Sequence, residues 1–150
     1  MPIHFYHEFE PFGEFSNFYL DHPIELDGLS WPTSEHYYQA MKFPNHPEIR
    51  EEIRQTSECL QTKVLANEIY THLVDQDWWD NSKDAVMLKA VRAKFTQHQD
   101  LQDFLLDSGD QILIEHTEND LYWGDGLDGS GKSMLGKVLM QVREEIKKTQ

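Results

Sequence analysis

Hydrophobic and polar positions change period several times along this chain, and each change marks an element. Residues 3–6 read as a short strand. Phe9, Phe12, Phe15 and Phe18 recur at every third position, but Pro11 and Gly13 break a helix there, so this stretch reads as a packed irregular loop. Over 23–31, Ile24 and Leu26 alternate with polar neighbours and Asp27-Gly28 signals a tight turn, the pattern of a hairpin. Thr33 or Ser34 supplies an N-cap for a helix that Pro44 closes. Helical stretches follow over about 47–55, 57–70, 81–97 and 100–107, and in 81–97 Ala85, Leu88, Val91, Ala93 and Phe95 supply the apolar face. A β-branched strand over 112–115 leads into the glycine-rich stretch 124–131. The last helix, 134–147, aligns Leu135, Val138, Leu139, Val142 and Ile146. The pattern predicts one α+β domain over 1–150, predominantly helical with a small β-sheet, and shows neither repeat nor linker.

A length of 150 residues suits one domain, and 12% aromatic residues separate the chain from disordered compositions. Thirteen basic against 27 acidic side chains give a net charge of -14, spread along the chain. That balance argues against bulk nucleic-acid binding, which depends on Lys and Arg neutralising phosphates, while leaving room for a local anion site. Cys59 is the single cysteine and can form no internal disulfide. The first eight residues lack the basic and apolar regions of a secretory signal, and no run approaches the ~18 apolar residues of a membrane span. These features read as a cytoplasmic protein with no membrane partner, and they leave its oligomeric state open.

Gly126-Leu127-Asp128-Gly129-Ser130-Gly131-Lys132-Ser133 matches the phosphate-binding pattern G-x-x-x-x-G-K-[ST] at each position. Its setting argues against that function. The preceding strand ends ten residues upstream, Asp125 and Asp128 would oppose phosphate oxygens, and no strand follows to carry a magnesium-holding Asp.

Stronger chemistry lies in the helix after Thr33, where Glu35, Tyr38, Gln39 and Lys42 fall at i, i+3, i+4 and i+7 and so share one face. A carboxylate and an amine project the same way. Spacing alone also fits a solvated face whose charges complement the helix dipole, but the flanking aromatic residues offer material for a pocket wall. Asp120 and the Tyr122-Trp123-Gly124 segment form a second candidate, in which glycine allows close backbone approach and Trp123 offers a flat surface. The bland alternative is a turn whose aromatic residues plug the core. Trp78-Trp79 raises the same question, and Ser16-Asn17-Phe18 reads equally as a source of hydrogen-bond donors and as a local turn. His4 and His7 suit metal ligation poorly, and no other His or Cys group has ligand spacing, so neither a metal nor a cofactor is expected. Cys59 reads as a packed thiol rather than a nucleophile.

Two long segments, Trp31-Pro32-Thr33-Ser34-Glu35-His36-Tyr37-Tyr38-Gln39-Ala40-Met41-Lys42-Phe43 and Glu115-His116-Thr117-Glu118-Asn119-Asp120-Leu121-Tyr122-Trp123-Gly124-Asp125-Gly126, resemble the YbiA-like, or NADAR, family of N-glycosidases. Shorter signatures agree, among them Ser16-Asn17-Phe18, Trp79 with Lys83 and Met87, and Ala93-Lys94-Phe95. The resemblance implies a mainly helical fold and metal-independent cleavage of an N-glycosidic bond. It further implies that the substrate is a ribosylamino-pyrimidine phosphate of early riboflavin synthesis or an ADP-ribosylated guanine. It marks Glu35, Trp79 and Asp120 as functional, with Lys42 and Trp123 lining the same pocket. The sequence departs from the family at Ser133, where Asn is usual, and over 73–77, which lacks an Arg. A module that binds ADP-ribose or NAD without cleaving it is the remaining alternative.

Overall fold

The computed structural model describes residues 1–150. Six helices are present: α1 (Ser34–Ala40), α2 (Pro47–Arg54), α3 (Cys59–Val64), α4 (Gln76–Gln97), α5 (Gln99–Asp107) and α6 (Met134–Thr149). Four short strands complete the α+β architecture. β1 (Ile3–Phe5) pairs in parallel with β4 (Leu113–Glu115), and β2 (Ile24–Leu26) pairs antiparallel with β3 (Leu29–Trp31). The expected small sheet is therefore two separate two-stranded sheets. Sequence patterning marks the strands but not the β1–β4 pairing, because Ile3 and Leu113 meet from distant parts of the chain. The hairpin turn is as expected, with Asp27 at φ 55° and Gly28 at φ 79° in the left-handed region that a two-residue turn requires.

Two helix boundaries differ from the sequence reading, and both shape the candidate site. α4 begins at Gln76 rather than near residue 81, because the Asp75 side chain caps it, accepting from the Trp78 backbone N–H at 3.1 Å. The longer helix carries Trp79, Lys83, Met87 and Lys94 along one face, at i, i+4, i+8 and i+15. The stretch 57–70 is not one helix. α3 passes into a π-helical turn, Leu65–Ile69, in which the Tyr70 N–H reaches back to the Leu65 carbonyl at 2.8 Å, and a 3₁₀ turn, Thr71–Leu73, follows. A π turn inserts an extra residue and rotates all later side chains, which a regular 3.6-residue pattern does not anticipate.

The core is continuous, with α4 packed against α1, α5, α6 and β2. Phe15 is buried against Phe5 and Phe104, so the N-terminal aromatic loop is packed inward, although Phe9 stays exposed. No helix is long and apolar enough to cross a membrane.

α6 crosses β4 so closely that a Cβ on Gly136 would lie 1.8 Å from the Leu113 carbonyl oxygen. Glycine inside a helix ordinarily costs about 1 kcal/mol relative to alanine. Here the clash reverses the sign. We expect Gly136→Ala to lower stability by roughly 1–3 kcal/mol, the range of overpacked cores, as a reduced urea midpoint.

Candidate active site

The site is built on α1. Thr33 caps the helix, its hydroxyl accepting from the His36 N–H at 3.1 Å, and all seven residues from Ser34 to Ala40 are buried. A helix enclosed on every side has little water to satisfy its polar groups, and most of them find a protein partner, Gln39 Oε1 being left without one. His36 Nε2 meets the Thr56 carbonyl at 2.8 Å, the Ser34 hydroxyl donates to Asn17 Oδ1 at 2.8 Å, and the Tyr37 hydroxyl donates to Asp27 at 2.8 Å. Glu35 is 6% exposed and accepts from Gln39 Nε2 at 2.6 Å. The reading of this stripe as a solvated face is thereby overturned.

Lys42 lies just past α1. Its Nζ donates to Asn67 Oδ1 at 2.7 Å, which places the π turn against it, and it sits 5.6 Å from the Tyr38 ring centre and 5.7 Å from that of Trp79. It forms no ion pair with Glu35; the two groups interact through space. Tyr38 stands between two tryptophans, edge-on to Trp79 at 5.0 Å and to Trp123 at 5.6 Å, and its hydroxyl accepts from Trp123 Nε1 at 3.0 Å. Trp79 and Trp123 are both buried, joining α1, α4 and the 116–133 loop in one aromatic wall.

Asp120 shapes that loop. Its Oδ1 accepts from the N–H groups of Tyr122 and Trp123, each at 2.8 Å, leaving Oδ2 without a protein donor. Beside Gly124, a Cβ would meet Thr117 at 2.5 Å and the Asp120 carbonyl oxygen at 2.7 Å, so the close approach that glycine allows is made by the chain itself. The nucleotide-loop match has a similar outcome. The N–H groups of Gly131, Lys132, Ser133 and Met134 donate to the carbonyls of Asp125, Leu121, Gly124 and Tyr122, so the donors a phosphate would need are already used.

Ser16 and Asn17 serve mainly to hold the site together. The Ser16 hydroxyl accepts from the Phe18 N–H at 3.1 Å, while the Asn17 side chain spans from Ser34 to the Met87 sulfur at 3.3 Å. The Asn17 carbonyl accepts from the Glu35 N–H at 3.3 Å, and the Ser16 carbonyl accepts from Lys94 Nζ at 2.7 Å. Lys94 is buried, and burial lowers its amine to about 7. Phe18 remains at the site through Lys63, whose Nζ lies 5.9 Å from its ring centre.

Burial sets the protonation of the cluster's titratable groups. Desolvation raises the Glu35 carboxyl, against the opposing effects of Gln39, Lys63 and Lys42. Desolvation also lowers Lys42 to about 8, and Lys63 and Lys83 push in the same direction. Mutual attraction would keep Glu35 and Lys42 charged, yet burial prevails for both and favours the neutral acid and the neutral amine. A third carboxyl, Glu115 at the end of β4, is raised to about 8 by desolvation, then by Asp120 and Glu35. Its carboxyl has no hydrogen-bond partner in the protein. Sequence reasoning passed over Glu115 as a site residue because nothing local distinguishes it from the chain's other acids; only pairing of β4 with β1 brings it to this cluster.

The remaining candidates fall outside. Burial pushes the Cys59 thiol up, consistent with a packed rather than nucleophilic group. Folding gathers two sets of side chains with ligand atoms close enough for a metal, His4 with His116 and Asp125, and His22 with His98 and Asp100. In the first, His116 Nδ1 and Asp125 are bonded to each other at 2.7 Å; in the second, His22 Nε2 meets Asp100 at 2.7 Å. Surface hollows of about 330 Å³ beside Met1 and Ile112, and of about 190 Å³ beside Phe12 and Phe104, include no member of the Glu35 cluster.

Comparison with known proteins gives consistent matches. The NADAR domain model matches residues 4–147. The chain is 46% identical over 144 residues to N-glycosidase YbiA of Escherichia coli (strain K12), covering 96% of this chain and 88% of that protein. It is 39% identical over 149 residues to an N-glycosidase of Nostoc punctiforme, covering 98% and 94% of the two chains. It is also 42% identical over 145 residues to a riboflavin biosynthesis protein of Vibrio vulnificus, covering 97% of this chain but 38% of that longer one. The NMR structure of E. coli YbiA superimposes with a TM-score of 0.86 at 45% identity, covering 98% of this chain and 85% of that one.

The retained proton on Glu115 has a thermodynamic consequence. Above its ordinary value of 4.5 the unfolded chain has lost this proton, while the folded protein keeps it up to about 8, so this group's contribution to stability falls as pH rises through that interval. We expect Glu115→Gln to remove the penalty. Urea unfolding at pH 5, 7 and 9 should show the variant gaining on the wild type as pH rises, and a difference independent of pH would contradict the assignment.

Proposed function

We propose that this chain, which belongs to the NADAR domain family of N-glycosidases, hydrolyses the bond between ribose and an exocyclic amine, as in ribosylamino-pyrimidine phosphates. One observation carries the reading: the buried carboxyl of Glu35 on α1 and the desolvated amine of Lys42 just past its end lie in one cluster with Tyr38 and two tryptophans. The riboflavin biosynthesis proteins of Vibrio vulnificus and Zea mays among the relatives support this substrate class. ADP-ribosylated guanine has the same linkage and is the competing substrate. Both substrates pose the same chemical problem, because a ribosyl amine opens readily once its ring oxygen is protonated.

In the proposed reaction, Glu35 gives its proton to the ribose ring oxygen, the bond from that oxygen to C1 breaks, and the exocyclic nitrogen becomes an imine. The neutral Lys42 amine adds to C1. A proton then passes to the exocyclic nitrogen, the bond from C1 to that nitrogen breaks, and the base leaves as its amine. Water, deprotonated by the Glu35 carboxylate, adds to the resulting Schiff base; its collapse frees Lys42 and the sugar. Gln39 holds the Glu35 carboxyl in place, and the free oxygen of Asp120 takes the ribose hydroxyls. Trp79 or Trp123 supplies a surface for the flat base. No metal or cofactor enters this sequence of steps.

Mass spectrometry of products from a ribosylamino-pyrimidine 5-phosphate and from an ADP-ribosylated guanine tests the activity and names the substrate. We expect ribose 5-phosphate from the first, with Glu35→Gln slower by roughly 10² to 10⁴, the range for loss of a general acid. No release from either, with ADP-ribose still bound, would favour a binding module instead.

Borohydride added during turnover should leave a reduced sugar adduct on Lys42. Absence of the adduct, together with a near-normal rate for Lys42→Arg, would replace the Schiff base by direct water attack. The pH profile follows from the same groups. The rate should rise as Lys42 loses its proton near pH 8 and fall as Glu35, raised by burial, loses its own, so that the profile is bell-shaped.

A further inference from the structure

Five of the thirteen Lys and Arg side chains of this acidic protein have a carboxylate partner: Arg54 pairs with Glu51, Lys83 with Asp80, Lys89 with Asp27, Arg92 with Glu145 and Lys147 with Asp110. Lys63 is among the eight that do not. It is only partly exposed, yet its ammonium makes no ion pair and donates no hydrogen bond to the protein. The Phe18 ring centre lies 5.9 Å from its Nζ.

Its position matters as much as its lack of a partner. Lys63 occupies the last turn of α3, four residues before Asn67, the π-turn residue that accepts from Lys42 Nζ. Lys63 approaches Phe18, the neighbour of Asn17, whose carbonyl accepts from the Glu35 N–H, and its positive charge bears on Glu35, Lys42 and Glu115. Lys83 reaches the same cluster from α4, but it is held by Asp80 at 3.7 Å and by the Tyr122 ring at 3.9 Å. Lys63 is the ammonium beside Lys42 that has no such restraint. An anion there would supply the missing counter-charge and separate two amines that otherwise repel.

We infer that Lys63 is the anion seat of the site and holds the phosphate on the 5-oxygen of the bound ribose. This rests on the ribosyl-amine reading above for the identity of the sugar. A 5-phosphate is common to phosphoribosyl and ADP-ribosyl groups, so the seat selects for a phosphorylated ribose without choosing between them. A lysine meets phosphate as a compact charge with rotatable donors, and this contact requires no glycine-rich backbone cradle. Phe18 limits where the ammonium can go, and this gives that residue a role in binding without direct contact to the base.

The test is binding of D-ribose 5-phosphate against D-ribose, measured by titration calorimetry with the wild type, Lys63→Met, Lys63→Gln and Lys63→Arg, each first checked for an unaltered melting transition. We expect the wild type to prefer the phosphorylated sugar, and Lys63→Met and Lys63→Gln to lose roughly tenfold or more of that preference, the scale of a charge-assisted hydrogen bond. Lys63→Arg should keep part of it, and affinity for unphosphorylated ribose should not change. Equal loss of affinity for both sugars, or an undiminished preference in Lys63→Gln, would overturn the inference; so would a wild type that does not distinguish them. Binding needs no turnover, so a protein that prefers ribose 5-phosphate through Lys63 but cleaves neither candidate would refute the glycosidase reading and leave the anion seat standing.

Discussion

Complete enclosure of α1 is the constraint from which the rest of the site follows. A short helix with Ser, Glu, His, Tyr and Gln among its seven residues is an unusual thing to bury, since each unpaired polar group costs on the order of 1–3 kcal/mol. The protein surrounds most of it with matched partners, leaving Gln39 Oε1 without one. Asn17 meets Ser34, Thr33 and the Thr56 carbonyl meet His36, and Asp27 meets Tyr37. Those partners come from the N-terminal loop, the hairpin and the end of α2, so the position of α1 is determined from three directions. Glu35 shares this enclosure, and its carboxyl is raised for the same reason that the helix is rigid.

Lys94 supports this arrangement from outside the cluster. A buried amine without a carboxylate is costly, but its hydrogen bond to the Ser16 carbonyl holds the loop that meets α1 at Ser34 and Glu35. Met87, one helical stretch earlier on α4, holds the other side of Asn17. Thus α4 acts as a straightedge, with Trp79 in the aromatic wall, Met87 and Lys94 behind the loop, and Lys83 above Tyr122. The opposite wall is the loop 116–133, closed on itself by backbone hydrogen bonds and by Asp125, which accepts from the N–H groups of Thr117 and Leu127. Its glycines serve this self-closure rather than a nucleotide.

Features recorded in local sequence were legible. The Asp27-Gly28 turn, the Thr33 cap, the shared face of Glu35 and Gln39, and the apolar face of α6 each depend on residues a few positions apart. Other features were less so. α4 starts before residue 81 because Asp75 caps it, and two tryptophans between that cap and residue 81 obscure the polar-to-apolar change in the sequence. The π turn was missed because Leu65 and Ala66 continue an apparently regular helical pattern. Glu115, Lys63 and Lys94 each look like ordinary charged residues, since their neighbours in space lie tens of positions away in the chain.

By itself, the sequence determined the mainly helical fold class, Glu35 and Gln39 on one helix face, and a family resemblance that the NADAR match bears out. These follow from local periodicity, capping and long runs of uncommon residues. Tertiary structure alone decided which groups are desolvated. Whether Glu35 is an acid, whether Lys42 is an amine near pH 8, and whether Glu115 and Lys63 face the same cluster all depend on the distance to water and to other charges. Burial and electrostatics act through space, between residues brought together only when β4 pairs with β1 and the π turn sets Asn67 against Lys42.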